Sequence, residues 1–344
     1  MELYVLNTGL QEIAVIDSYS SLIWTKRYYT YGDFELYLPA SKELMQILRQ
    51  DYYITREDDE TVMIIEKIEI KTDIENGDFL TVSGRSIESI LARRIIRNQT
   101  NISVSNPVLG INRMITENAI TCEDVRKLPG LSVAAALDIP QAYSAQFTGT
   151  NLLDAVTRIC TEFGLGMKII LSNGGFVFSC YEGRDVDVTF SPEFDNLISS
   201  EYKTDMTNYF NMAFVAGEGE GTSRKTAEVQ SGDNEPSGYE RRELYVDARD
   251  ISSNEGEISD SDYNKKLEQR GREKLDECAV LTSFESEIEP RMTYQYKVDY
   301  RLGDIVTLVN EYGVTVFPRI TEIIESFSDE GYKVIPVFEK KEVG

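Results

Sequence analysis

In YTYGDFELYLP, residues 29–39, Phe34, Leu36 and Leu38 occupy one phase of a two-residue alternation, while Asp33, Glu35 and Tyr37 occupy the other. One face of a strand is predicted to be buried and the other presented. The same short alternation runs through the first hundred residues. LYVL, QEIAVI, LIWTKRYY and FELYLP are separated by Asn7-Thr8-Gly9, by Asp17 to Ser20 and by Gly32-Asp33, which predicts a meander of short strands. A short helix follows, with Ser41 as N-cap and Leu44, Ile47 and Leu48 on one face. YYITREDDETVMIIEKIEIKT reads as a hairpin and FLTVSG as a further strand. SIESILARRIIRN is predicted to close the unit as a helix with Ile87, Ile90 and Leu91 on one side.

The period changes after residue 100. NPVLGINRMITENAI places Asn106 at an N-cap and Pro107 at the first helical position, and TNLLDAVTRICTEFG puts Leu152, Leu153, Val156, Ile159, Cys160 and Phe163 on one stripe ending at Gly164. MKIILSNGGFVFSCYEG supplies two strands around an Asn173-Gly174 turn. From about residue 191 the strand pattern returns in NYFNMAFVAG, ERRELYVDA, VLTSFESEIE, GDIVTLVN, VTVFPRITEIIES and YKVIPVFEK. It is interrupted by a polar loop, EGTSRKTAEVQSGDNEPSGYE, and by a solvent-facing helix over Asp260 to Ala279 with Tyr263, Leu267, Leu275 and Cys278 at near-helical spacing.

YYITREDDETVMIIEKIEI followed by GDFLTVSG is echoed by GDIVTLVNEYGVTVFPRITEIIES followed by EGYKVIPVF: strand, turn, strand with an isoleucine-rich run, glycine, strand. Two readings stand, an internal duplication or the general likeness of hairpins. The predicted fold class is α+β and mainly β. Residues 1–100 and 191–344 form the two strand-rich domains, residues 101–190 a small α+β domain between them, and the polar loop and helix an insertion at about 218–279.

At 344 residues, with 41% hydrophobic and 10% aromatic residues, the chain suffices for two or three compact units. Glu2 stands where a secretory leader would carry a basic residue, and no apolar run is long enough to span a bilayer, so no membrane anchor is expected. Cys122, Cys160, Cys180 and Cys278 are scattered without a CxxC pair, which predicts buried free thiols. The 35 basic and 59 acidic residues give a net charge of -24. A surface of that sign repels both DNA and anionic lipid, so no specific nucleic-acid binding is expected, while a role in which DNA must pass without sticking remains open.

No histidine occurs, which removes Ser-His-Asp and Cys-His catalysis, the HExxH zincins and histidine-ligated metals. Ser200 to Lys203 has the SxxK spacing but no KTG or SDN companion. GEGEG, residues 217–221, sets glutamates where a phosphate loop would need neutral or basic residues, and reads as a hairpin turn. The acidic runs Asp58 to Glu60 and Glu255 to Asp262 read as solvated loops, since a calcium loop starting at Asp260 would need glycine and glutamate where Lys265 and Gly271 stand. Arg93, Arg94 and Arg97 are too few for a nucleic-acid patch and are expected in salt bridges. No catalytic residue, metal ligand or cofactor is therefore assigned.

YGDFELYLP, VSGRSIESILARRII, FSPEFDNLISSEYKTDMTNYFNMAFVAGEGEGTSR, and YKVDYRLGDIVTLVN with a following ITEI together resemble, in order and over nearly the whole chain, siphovirus tail proteins related to the baseplate hub of contractile phages. The resemblance implies a homotrimer in which each chain contributes two similar β-barrel domains, a pseudo-sixfold ring beneath a hexameric tail tube. It implies a structural, non-enzymatic virion protein, made in the host cytoplasm, whose partners are the tail tube protein, the distal tail protein and tip or fibre proteins. Asp33, Glu35 and Tyr37 would then face the lumen or a neighbouring subunit. The chain stops at Gly344, so a peptidase, lysozyme or receptor-binding module is expected on another polypeptide. The competing readings are a carboxylate-based cell-wall hydrolase, separable by turbidity clearing, and a carbohydrate-binding adhesin using some of the 20 tyrosines, separable by a glycan array.

Overall fold

The computed structural model describes residues 1–73, 77–194, 197–288 and 294–342. The first segment contains β1 (Leu3–Leu6), β2 (Glu12–Ile16), β3 (Ser21–Arg27), β4 (Asp33–Pro39), α1 (Lys42–Ile47), β5 (Tyr53–Arg56), β6 (Asp59–Ile64), β7 (Lys67–Asp73) and β8 (Gly77–Arg85). The middle contains β9 (Thr100–Val104), α2 (Pro107–Ile115), β10 (Leu131–Val133), β11 (Tyr143–Phe147), α3 (Leu152–Glu162), β12 (Leu165–Ser172) and β13 (Gly175–Glu182). The remainder contains β14 (Asp185–Phe190), β15 (Leu197–Asp205), β16 (Met212–Ala216), β17 (Thr226–Gln230), β18 (Glu243–Asp247), α4 (Asp260–Glu277), β19 (Val280–Ile288), β20 (Ile305–Val309), β21 (Thr315–Val316), β22 (Arg319–Ser328) and β23 (Gly331–Glu342). The chain is mainly β with helices interspersed, and among the described residues no sheet closes on itself.

Local chemistry sets the predicted helix starts. The Ser41 hydroxyl accepts the Leu44 N–H, and the Asn106 and Asn151 side chains accept the N–H groups of Val108 and Leu153. Asn173 and Gly174, both at positive φ, turn β12 into β13. Ile87–Arg93, expected as an α-helix, is a 3-10 helix: the buried Glu88 is held by Ser86 and by the Ile169 N–H, which tightens the turn. The polar loop expected after residue 218 contains β17, because Val229 packs with Leu267 and Tyr263 of α4. α4 is also not the solvent-facing helix its composition predicts. One side packs on β16 and β17, and the opposite polar side, with Lys266, Gln269 and Glu273, is buried against the middle segment.

The largest sheet contains eight strands in line, β15-β19-β23-β22-β3-β4-β8-β7, with β14, β20 and β21 joined to it at β22. That line is two quartets of the same order. β3-β4-β8-β7 from the start of the chain is repeated as β15-β19-β23-β22 from its end, every neighbour within a quartet being antiparallel. The sequence echo covers β5 to β8 and β20 to β23. A second sheet, β10-β13-β12-β6-β5-β1-β2, joins the middle segment to the first. β16, β17, β18 and α4 lie between β15 and β19, where the first quartet has only the turn between β3 and β4.

Candidate assembly surface

On β4 the two phases separate as the alternation predicts. Phe34, Leu36 and Leu38 are buried with Trp24, Leu22, Leu80 and Val82, whereas Asp33 and Tyr37 are half-buried and Glu35 is exposed. Register extends this face sideways: Arg85 and the buried Thr25 flank Asp33, Ile23 and Ser83 flank Glu35, and Ser21 and Thr81 flank Tyr37. The Tyr37 ring stacks on Phe79 with centroids 4.8 Å apart. Asp33 pairs with Arg27, which also holds Glu322 of β22, so this ion chain crosses from one quartet to the other. Glu35 has no ion partner among the described residues. The face around it is of mixed sign, with Lys67, Lys71 and Arg27 as well as Glu69 and Glu322 in the same phase. The sequence brings Asp33, Glu35 and Tyr37 to one surface; of the three, Glu35 is the open charge.

Behind that face lies a buried ionic joint. Glu325 of β22 is 1% exposed and accepts hydrogen bonds from Arg56 at 3.1 and 3.4 Å and from the Tyr332 hydroxyl at 2.9 Å, with Lys26 3.5 Å and Lys297 3.8 Å away. Arg56, fully buried, also holds Asp58 through two hydrogen bonds of 2.7 and 2.9 Å. Lys26 and Lys297 share Asp59. Three cations thus meet three carboxylates from β3, β5, β6, β22 and the loop at residue 297. Burial pushes the Asp58 carboxyl up, but the Arg56 and Lys297 hydrogen bonds more than offset this and hold it at about 2. Asp59 is likewise held well below the carboxylate range by Lys26, against its burial. Burial raises the Tyr332 hydroxyl, and neighbouring Glu325 raises it further.

Tyr28 makes a second joint. Fully buried, it donates to the Gly164 carbonyl at 3.0 Å and accepts the Gly183 N–H at 2.9 Å, and the Arg319 guanidinium lies 5.2 Å from its ring centroid. Gly183 passes so close to Gly303 that an added Cβ would stand 1.7 Å from the Gly303 carbonyl oxygen. All three segments meet here, at a cleft of about 450 Å³. Five of its cations are engaged, Lys26 with Asp59, Arg27 with Asp33 and Glu322, Lys168 with Glu60, Arg184 with Asp304 and Lys297 with Asp58, while Arg301 also lines it. The alternation carried a signal for the ionic joint, since Arg56 shares the phase of buried Ile54 and Glu325 that of buried Ile323.

The other sequence candidates resolve structurally. Arg93 pairs with Asp51 and Arg97 with Glu123, while Arg94 caps the carbonyls of Arg126 and Lys127. GEGEG follows β16, turning toward β17, and Glu218 accepts the Ser253 N–H. Ser200 and Lys203 lie in strand β15 rather than on a helix; the Ser200 side chain is outside the described residues. All four cysteines are free, Cys160 buried and the others half-buried.

The fold is similar to that of phage tail proteins of known structure. The 43 kDa tail protein of prophage MuSo2 from Shewanella oneidensis is 14% identical, with a TM-score of 0.62 and 98% of each chain covered. The tail protein from Neisseria meningitidis MC58 is 12% identical, with a TM-score of 0.60 over 99% of this chain and 96% of that one. Prophage tail protein gp18 from Listeria monocytogenes EGD-e is 10% identical, with a TM-score of 0.58 over 98% of this chain and 94% of that one. The chain belongs to the Siphovirus ReqiPepy6 Gp37-like protein family, whose model matches residues 2–338. No curated protein matches it in sequence.

Proposed function

We propose that this chain is the hub of a phage tail tip, a homotrimeric ring that joins the hexameric tail tube to threefold tip components and lets DNA through. The strand order carries the reading. The eight-strand line ends in β7 on one side and β15 on the other, each bonded along one edge only among the described residues. β22 and β7 hold the same place in their quartets, as do β3 and β15. β7 of one copy therefore stands to β15 of the next as β22 stands to β3 within the chain, and repetition of that joint closes a ring. Six quartets, two per chain, make three copies.

Side-chain burial supports the same closure. Ile70 faces Leu80 and Ile323 faces Pro336 at matching places in their hairpins. Ile323, covered by β3, is fully buried, whereas Ile70, on the open edge, is 49% exposed. In this reading residues 1–100 and 191–344 supply the two barrel-like ring units and residues 101–190 a domain outside them. Asp33, Glu35 and Tyr37 face the lumen or the adjoining subunit. The tail tube protein, the distal tail protein and tip or fibre proteins are the partners, the protein acts in the virion after synthesis in the host cytoplasm, and it carries out no catalysis. Copy number in tail particles tests the proposal: three per ring are expected, and two or six would overturn it. Ile70→Asp is expected to leave the isolated chain folded and to abolish the ring, because it sets a charge in the apolar row of the joint.

A further inference from the structure

The two halves differ at one hairpin. β5–β6 sets Tyr53 opposite Ile64 and Ile54 opposite Met63; β20–β21 sets Leu308 opposite Val316 and Val309 opposite Thr315. Each hairpin is followed by two residues and then by the long strand, β7 or β22. Counting back from those strands equates Val62 with Val314 and Ile65 with Phe317. In the first hairpin the outer strand is covered. Thr61 bridges Ile170 of β12, Val62 packs into the core of the middle segment, and Val62 and Ile65 are 1% and 0% exposed. In the second, β21 pairs with β20 alone among the described residues, and Val314 and Phe317 are 38% and 60% exposed. Tyr312, at the hairpin tip, is 85% exposed. The same position in the same fold bears apolar side chains in both halves, enclosed in one and bare in the other.

We propose that β21 and its hairpin tip are the docking edge for a β-strand of a different polypeptide, which adds to β21 as β12 adds to β6 and encloses Val314, Phe317 and Tyr312. A second copy of this chain has no equivalent cover to give, because its one β12–β13 hairpin already covers its own β6. The net charge of -24 matches a strand flanked by lysine or arginine. The edge occurs once per chain. On the ring reading above, the docked protein is therefore present three times, and alternate covered and open hairpins turn a sixfold pattern into a threefold one.

Amide hydrogen exchange across residues 310–317, compared between the isolated chain and the intact tail particle, tests this. At least about tenfold slower exchange at Thr315 and Phe317, whose N–H groups point away from β20, is expected in the particle; equal exchange overturns the proposal. Slowing that appears in the isolated chain merely on raising its concentration would assign the edge to a second copy and overturn it as well. In the second arm, particles carrying Val314→Lys with Phe317→Lys are expected to keep this chain at its normal copy number and to lose one other tail component, read by mass spectrometry. Retention of every component overturns the proposal. Both substituted positions are exposed, and Tyr312→Ser, at the tip, provides the same readout should the double variant misfold. A ring of other than three copies would refute the ring reading while leaving the exchange result interpretable.

Discussion

Replacing Glu325 by glutamine should be among the most costly single changes in the chain. The side chain is 1% exposed and its carboxylate faces Arg56, which is fully buried, together with Lys26 and Lys297. Removing one member of a buried ion pair typically costs about 3–5 kcal/mol, because the remaining charge has lost its partner without regaining water. Here Asp58 still holds Arg56 through two hydrogen bonds, and Asp59 still holds Lys26, so the lower end, about 3 kcal/mol, is expected. Urea unfolding of wild type, Arg56→Met, Glu325→Leu and the Arg56→Met/Glu325→Leu pair forms the cycle, with Glu325→Gln measured alongside. The double variant should fall close to wild type, since apolar groups of similar volume avoid the desolvation that the ions require, and each single variant should fall well below it. The deficit should persist in 1 M salt, which a surface pair would not survive. A loss under about 1 kcal/mol for Glu325→Gln, or a double variant worse than either single, would refute the view that this cluster locks the two quartets together.

Glu162 lies between α3 and α4, accepts a hydrogen bond from Gln269 at 2.7 Å and leaves Oε2 without a partner. Burial raises its carboxyl to about 7; nearby Glu273 and Asp276 add to this, and Gln269 and Arg272 oppose it. A raised acid stabilises the docked state fully below its ordinary value of 4.5 and loses that contribution as pH climbs through about 7. Melting of wild type should therefore decline across that window, and Glu162→Gln should flatten the decline; an unchanged slope would refute it. Gly183→Ala should destabilise by about 3 kcal/mol, at the upper end for overpacking, because its Cβ meets backbone rather than a side chain that could move; near-wild-type melting would refute that close approach. Glu35→Lys should leave melting essentially unchanged but reduce DNA delivery by assembled particles at low salt, with recovery as ionic strength rises; unchanged delivery at low salt would sink the conduit role.

What the sequence revealed was local. Ser41, Asn106 with Pro107, and Asn173-Gly174 announce their caps and turn because each acts on backbone groups a few residues away. The phases of β4 are equally plain, which is why Asp33, Glu35 and Tyr37 emerge together. The pairing of β3 with β22 left no trace, since edges meet through main-chain groups that every residue possesses. The polar side of α4 misled for a related reason. Lys266, Gln269 and Glu273 look the same in a sequence whether they meet water or Asn101, Glu162 and Tyr143. Arg56 and Glu325 each broke an apolar phase, but nothing in either segment indicated that one break answered the other.

The ladder between β3 and β22 also governs how the chain can be made. β3 ends at Arg27 and its partner begins at Arg319, so nearly the whole polypeptide must leave the ribosome before that edge finds its neighbour. At 5–20 residues per second this is a wait of roughly 15–60 s. Throughout it a strand rich in apolar residues, Leu22, Ile23 and Trp24, stands with one side unpaired, the condition that invites pairing with the wrong chain. Lys26 and Arg27 close the strand with two positive charges, which repel an identical strand on a neighbouring nascent chain. The acids they later hold, Glu325 and Glu322, arrive with β22 itself, so the same side chains that guard the edge during synthesis select its proper partner when that partner appears.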